Sequence, residues 1–100
     1  MRAEKTDEYA DWIDKLKDRA GRARVLMRVD RLIHGIPGFH RDLTEGVSEL
    51  KIDVGPGYRV YDSLRRQRLL LLLLGGAKTT QQKDIEKALE LNRNYLEPPP

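Results

Sequence analysis

An α+β fold follows from three features of the sequence. Apolar residues recur at helical spacing up to residue 33, alternate with polar ones from residue 47, and return to helical spacing after residue 80. Six consecutive leucines at 69–74 show neither period. Helical and alternating stretches are thus separated along the chain, which predicts helices covering one side of a three- or four-stranded sheet. Residues 1–97 are expected to form one domain, because a chain of this length builds a single core. The three prolines at 98–100 cannot continue a helix, and a disordered tail is expected there.

Each element has its own signal. Thr6 or Asp7 caps a first helix, in which Tyr9, Trp12, Ile13 and Leu16 form one apolar stripe. Gly21 interrupts the pattern near a helix–helix corner, and a second helix carries Val25, Val29, Leu32, Ile33 and Ile36 inward. The run His34-Gly35-Ile36-Pro37-Gly38 stops it, giving an αα-hairpin with one apolar side to cover. Leu50, Ile52 and Val54 alternate with Glu49, Lys51 and Asp53 in a half-buried strand. Gly55-Pro56-Gly57 turns the chain into a second strand, where Tyr58, Val60 and Leu64 alternate with Arg59, Tyr61 and Ser63. The leucine run reads as a strand covered on both faces, bounded by Arg68 and Gly75. Thr79 or Thr80 caps a last helix whose inner face holds Ile85, Ala88, Leu89, Asn92 and Leu96. Residues 2–5 are read as a short edge strand.

Composition narrows the function classes. With 39% hydrophobic and 35% charged residues the chain is globular rather than disordered. The absence of cysteine excludes disulfides and thiolate metal sites. Two histidines, His34 and His40, without metal-ligand spacing give no metal site, and both are expected to be structural or exposed. The six-residue leucine run is far below the roughly 20 residues of a membrane helix. No charged segment followed by an apolar one opens the chain, so a cytoplasmic location and no membrane partner are expected. The net charge of +3 is unevenly spread. Residues 1–14 hold two basic and five acidic side chains, whereas residues 15–31 hold seven basic and two acidic ones. Arg59, Arg65, Arg66 and Arg68 face only Asp62 within residues 59–68. Arg24, Arg28 and Arg31 share one helical face away from the apolar stripe, which suits a polyanion, an acidic protein or plain solvent.

The candidate site lies on the strands. A hairpin turning at 55–57 pairs Val54 with Tyr58, which sets Lys51 opposite Tyr61 and Asp53 opposite Arg59 on the face away from Leu50 and Ile52. Two cations and a phenol on an open sheet face suit a phosphodiester: the cations offset developing charge, and Tyr61 stacks a base or donates a hydrogen bond. The alternative is a solvated strand face with an Asp53–Arg59 pair. Lys78 follows Gly75-Gly76 at a helix start, where free N–H groups favour anions, although P-loop spacing is missing. Ser48 and Ser63 have no histidine in a spacing that suggests nucleophilic catalysis.

Three segments carry a resemblance: Gly46-Val47-Ser48-Glu49-Leu50-Lys51-Ile52-Asp53, Gly55-Pro56-Gly57-Tyr58-Arg59-Val60-Tyr61, and Gly75-Gly76-Ala77-Lys78-Thr79-Thr80-Gln81 with Asp84-Ile85. With them the chain resembles the HigB-like addiction-module killer proteins of the RelE/ParE toxin superfamily. The resemblance implies a small antiparallel sheet packed against an N-terminal αα-hairpin, with a C-terminal helix. It implies the toxin of a type II toxin–antitoxin module, a metal-independent, cofactor-free endoribonuclease that cleaves mRNA on the ribosome. A helix-turn-helix antitoxin is the implied partner, with operator DNA reached only through it. Carried onto this chain, the catalytic set is Lys51, Arg59, Tyr61 and Lys78. Arg24, Arg28, Arg31, Arg65 and Arg66 are the candidates for nucleic-acid contact. Ala77 departs from an acidic residue usual in the family, and Asp62 from an aromatic. Gyrase inhibition without nuclease activity, and an inactive antitoxin-binding module, remain alternatives on the same scaffold.

Overall fold

The computed structural model describes residues 1–96; the expected tail at 98–100 lies outside the described residues. Its elements run β1 (Arg2–Lys5), α1 (Asp7–Lys15), α2 (Arg19–Ile33), β2 (His40–Asp42), β3 (Val47–Ile52), β4 (Tyr58–Arg65), β5 (Leu69–Ala77), a 3₁₀ turn (Lys78–Thr80) and α3 (Gln81–Asn94). The architecture is α+β, with one five-stranded sheet in the order β1-β5-β4-β3-β2. The sheet is mixed and not purely antiparallel, because β1 runs parallel to β5 while the other pairs are antiparallel. Its five strands are the two that alternation reveals, the leucine run, the expected edge strand at residues 2–5 and a second short edge strand, β2. Helices lie on both faces and not on one: α1 and α2 cover Leu50, Ile52, Tyr58, Val60, Leu70 and Leu72, while α3 covers Val47, Tyr61, Leu71 and Leu73.

The helix caps tie local structure to the sheet. The Thr6 hydroxyl accepts the Tyr9 N–H at 3.0 Å and donates to the Leu73 carbonyl at 2.6 Å, so one residue starts α1 and anchors it on β5. Asp18 caps α2 through the Gly21 N–H at 3.0 Å, and its other oxygen accepts the Tyr58 hydroxyl at 2.7 Å. Gly21 therefore lies in the first turn of α2, close to the corner between the two helices. A Cβ there would strike Asp18 and the Tyr58 ring. Ile36 falls beyond α2 and is exposed, since the helix ends at Ile33 before the Gly-Pro run.

The leucine run is a strand, and it is closely covered. A register shift on β5 sets Tyr61 opposite Leu74 but Asp62 opposite Leu72, so Leu73 is the extra residue. The shift lets Leu71, Leu73 and Leu74 all face α3. The strand continues through both glycines to Ala77. Gly75 admits the Trp12 ring on one face and Gly76 admits the Asp84 carboxylate on the other. Leu69 to Leu73 are all buried, and Leu74 is partly buried against the α3 cluster. Leu64 is instead 47% exposed near the end of β4. In α3, Ile85, Ala88 and Leu89 pack inward as their spacing predicts. Leu96 lies past the helix and is exposed, and Asn92 makes polar contacts with Arg65 and Glu45. Thr80 holds the N-cap position, but its hydroxyl donates to Asp84 at 2.6 Å and makes no cap bond.

Candidate phosphodiester cleft on the α3 face

The β3–β4 register decides which side chains meet. Ile52 pairs with Tyr58, so Lys51 stands opposite Arg59, Glu49 opposite Tyr61, and Asp53 falls outside the ladder. The connection is two residues longer than a turn confined to 55–57, so each β3 residue pairs two positions earlier on β4 than the expected register sets. The connection runs over residues 53–57, closed by Gly57 N–H to the Val54 carbonyl at 3.0 Å, with Gly55 and Gly57 at φ of 56° and 76°. A two-residue shift preserves face, and Lys51, Arg59 and Tyr61 still share the α3 side of the sheet. Gly76 of β5 pairs with Arg59 and completes the row.

Burial divides this set. Lys51 and Lys78 are exposed, whereas Arg59 is 4% exposed and Tyr61 is wholly buried. The expectation of an open sheet face fails because α3 lies across it. Tyr61 therefore cannot stack a base. Among the described residues its hydroxyl makes no hydrogen bond, and burial with the nearby charges of Glu49 and Asp84 raises its pKa well above the ordinary phenol value. Tyr61 is thus a neutral phenol at physiological pH.

Around Lys51 and Arg59 lies a cleft of about 430 Å³, lined by Gly38, Phe39, His40, Arg41, Glu49 and Gln81 in addition. Glu49 is 3% exposed and organises its floor. Its carboxylate accepts Arg41 Nε at 3.0 Å and Gln81 Nε2 at 2.8 Å, and Arg59 Nε lies 3.9 Å away. Arg59 donates through Nη1 to the Gly57 carbonyl at 2.9 Å, while its buried Nε makes no hydrogen bond among the described residues. Three cations thus line the cleft against one carboxylate. Lys78 stands beside it: its N–H donates to the Gly57 carbonyl at 2.8 Å, and its Cβ would lie 3.5 Å from a Cβ at Gly57.

The structure separates the other candidate cations. Arg24, Arg28 and Arg31 form one face of α2, and burial together with the charges of Arg31 and Arg24 lowers the pKa of Arg28. Arg65 is tied to α3, donating to the Asn92 carbonyl at 2.6 Å and Oδ1 at 2.8 Å and lying 5.1 Å from the Tyr95 ring centroid. It is a clasp between β4 and α3 and not a free contact for nucleic acid. Arg66 is exposed in the β4–β5 turn, at φ 52°.

Phe39, Arg41, Glu49 and Gln81 were not singled out by sequence reasoning. Glu49 reads as an outward polar residue under alternation alone, and only the placement of α3 buries it. The other three come from a short edge strand, its lead-in and a helix start, none of which carries a periodic signal. His40 belongs to β2, on the opposite sheet face, where its Nε2 lies 2.9 Å from Oδ2 of the buried Asp62. Ser48 donates to Asp42 at 2.9 Å in the same region. These four residues edge a second cleft of about 450 Å³. Among the described residues no cluster of His, Cys, Asp or Glu is arranged to hold a metal, and no helix is long and apolar enough to cross a membrane.

Fold and cleft together define an α+β protein with a cationic, carboxylate-braced pocket on one sheet face. No established family profile matches the sequence. An uncharacterized protein of Haemophilus influenzae is 39% identical over 80 residues, covering 80% of this chain and 81% of that protein. The chain belongs to the same family as that protein.

Proposed function

We propose that this protein is the toxin of a type II toxin–antitoxin module, a HigB-like member of the RelE/ParE superfamily that cleaves mRNA on the ribosome. The observation carrying the reading is the pairing of Lys51 with Arg59 on adjacent strands, in a cleft where three cations meet one carboxylate. An αα-hairpin against a sheet with a C-terminal helix is also the layout that the resemblance implies.

In this reading a phosphodiester enters the cleft between Lys51 at the rim and Arg59 at the floor. The adjacent 2′-hydroxyl attacks phosphorus, the bond to the 5′ oxygen breaks, and a 2′,3′-cyclic phosphate and a 5′-hydroxyl result. Fixed cations stabilise the extra charge of the transition state, and a site excluded from water strengthens that effect. Glu49 holds Arg41 and Arg59 in place and takes the 2′ proton, while the leaving 5′ oxygen takes its proton from water at the open rim of the cleft. Lys78 adds positive charge from the side. Tyr61 supports Arg59 from beneath as a buried neutral phenol. No metal or cofactor enters this scheme. The partners are the ribosome with its mRNA, and a helix-turn-helix antitoxin that links the toxin to operator DNA; the site of action is the cytoplasm.

Primer extension on translated mRNA after induction tests the reading. New 5′ ends in the wild type that disappear with Lys51→Ala support it. Growth arrest without such ends, together with loss of gyrase supercoiling in vitro, assigns the scaffold to gyrase inhibition. Neither effect leaves an antitoxin-binding module without activity.

A further inference from the structure

Building on the ribonuclease reading, we propose that Phe39 is the stacking platform for an unpaired nucleobase beside the bound phosphate, and that the RNA strand reaches it along the arginine face of α2. Phe39 is the chain's only phenylalanine, and it is 73% exposed. It is nevertheless held in place, because its carbonyl accepts the Lys51 N–H at 2.9 Å, extending the β2–β3 pairing by one residue. That bond fixes the ring's backbone next to Lys51, and Phe39 lines the same cleft as Arg41, Lys51 and Arg59.

An aromatic face beside backbone-neutralising cations is the composition of a single-strand site, where stacking and charge act on successive parts of one nucleotide. Tyr61, the aromatic that the strand pattern offered for this task, is fully buried and unable to serve. The loop carrying Phe39 also touches α2. Arg28 Nη2 donates to the Pro37 carbonyl at 3.3 Å, and a Cβ at Gly38 would meet that guanidinium nitrogen at 2.7 Å. Arg28 therefore joins the arginine face of α2 to the loop that carries Phe39, at the sheet edge that the cleft also borders. Phenylalanine has no hydrogen-bonding group, so the base at this position is chosen by stacking area, purine over pyrimidine, and not by its edge.

The test is equilibrium binding of a 2′-O-methyl RNA heptamer, which resists cleavage because its attacking hydroxyls are blocked. Phe39→Ala is expected to weaken binding roughly tenfold, within the range for loss of one stacked base, and to leave the salt dependence unchanged. Phe39→Trp is expected to restore affinity and to show fluorescence quenching on RNA addition that the wild type, with Trp12 alone, does not. Arg28→Glu is expected to lower both affinity and salt dependence. Unchanged binding by Phe39→Ala, an unquenched Phe39→Trp, no heptamer binding by the wild type, or a defect confined to antitoxin binding would each overturn the proposal. Cleavage of ribosome-bound mRNA is scored separately. A wild type that stacks RNA on Phe39 but cuts nothing refutes the ribonuclease reading alone, and one that cuts while Phe39→Ala binds normally refutes only the role of Phe39.

Discussion

Lys51 and Arg59 face one another across two strands, yet they stand in different environments, and substitution separates them. Lys51 is exposed, so Lys51→Ala is expected to change stability by no more than about 0.5 kcal/mol. Its effect should fall on cleavage, where loss of a fixed transition-state charge costs roughly 2.7–4 kcal/mol of barrier. Arg59 is buried beside a buried carboxylate, so Arg59→Ala should destabilise the fold by about 3 kcal/mol as well as abolish activity. Thermal melting paired with growth arrest reads both, and equal stability losses in the two variants would contradict the account. His40 and Asp62 give a second residue-level prediction. A hydrogen bond to Asp62 raises the His40 pKa above its ordinary 6.5, aided by the charges of Asp62 and Asp42. Burial raises the Asp62 carboxyl above its ordinary 3.8, opposed by His40. Each group holds its proton more tightly in the folded state than in the unfolded chain. Each contribution is therefore complete below the unfolded pKa and is lost as pH rises through the folded one. Melting temperature should accordingly fall as pH rises from 6.5 through the folded His40 pKa, and His40→Gln should remove that alkaline decline. An unchanged profile in the variant would reject the pair as its source.

Among the elements, β5 shows why two glycines follow six leucines. Trp12 occupies the space a side chain at position 75 would need, so Gly75→Ala should cost about 1–3 kcal/mol or more by overpacking. Denaturant unfolding measures this, and a variant as stable as the wild type would show that Trp12 has room to move. The arginine face of α2 gives the companion prediction. Reversing Arg24 and Arg31 to glutamate should weaken ribosome binding and flatten its salt dependence, because fewer counterions are released. If ribosome binding holds while antitoxin affinity falls, the face belongs to an acidic protein segment. The two N-terminal helices and the β3–β4 hairpin were legible in sequence because their periods reflect one dominant contact each, and the leucine strand because an unbroken apolar run suits burial on both faces. The edge strand β1 was read at residues 2–5, but β2 was not, since pairing at a sheet edge demands little of the side chains. The hairpin register was misjudged by two residues because Asp53 and Val54 continue the alternation although the backbone has already left the ladder. That Lys51 and Arg59 share one sheet face followed from alternation, and the structure keeps them on it. The burial of Arg59, Tyr61 and Glu49 did not follow, because it depends on where α3 comes to rest.

At the scale of the whole molecule, α3 closes one sheet face and the αα-hairpin closes the other, leaving a cationic cleft at the edge where β2, β3 and the start of α3 meet. Clasps hold this arrangement from both ends. Arg93 pairs with Glu45 at 2.7 Å, fixing the β2–β3 turn to the end of α3, and the Tyr95 hydroxyl donates to Glu4 at 2.6 Å, fixing that end to β1. The cleft therefore belongs to the assembled fold and to no single segment, and the antitoxin of the proposed module would need only to cover it or the α2 face to silence the protein. The central claim is that this cleft cuts mRNA held in the ribosome, and incubation of purified protein with ribosome-bound mRNA, followed by analysis of the fragment ends, tests it most directly. The account predicts cleavage on the ribosome but not of free mRNA, with 2′,3′-cyclic phosphate ends and with loss of activity in Lys51→Ala. Intact ribosome-bound mRNA, or cleavage that persists unchanged in Lys51→Ala, would contradict it.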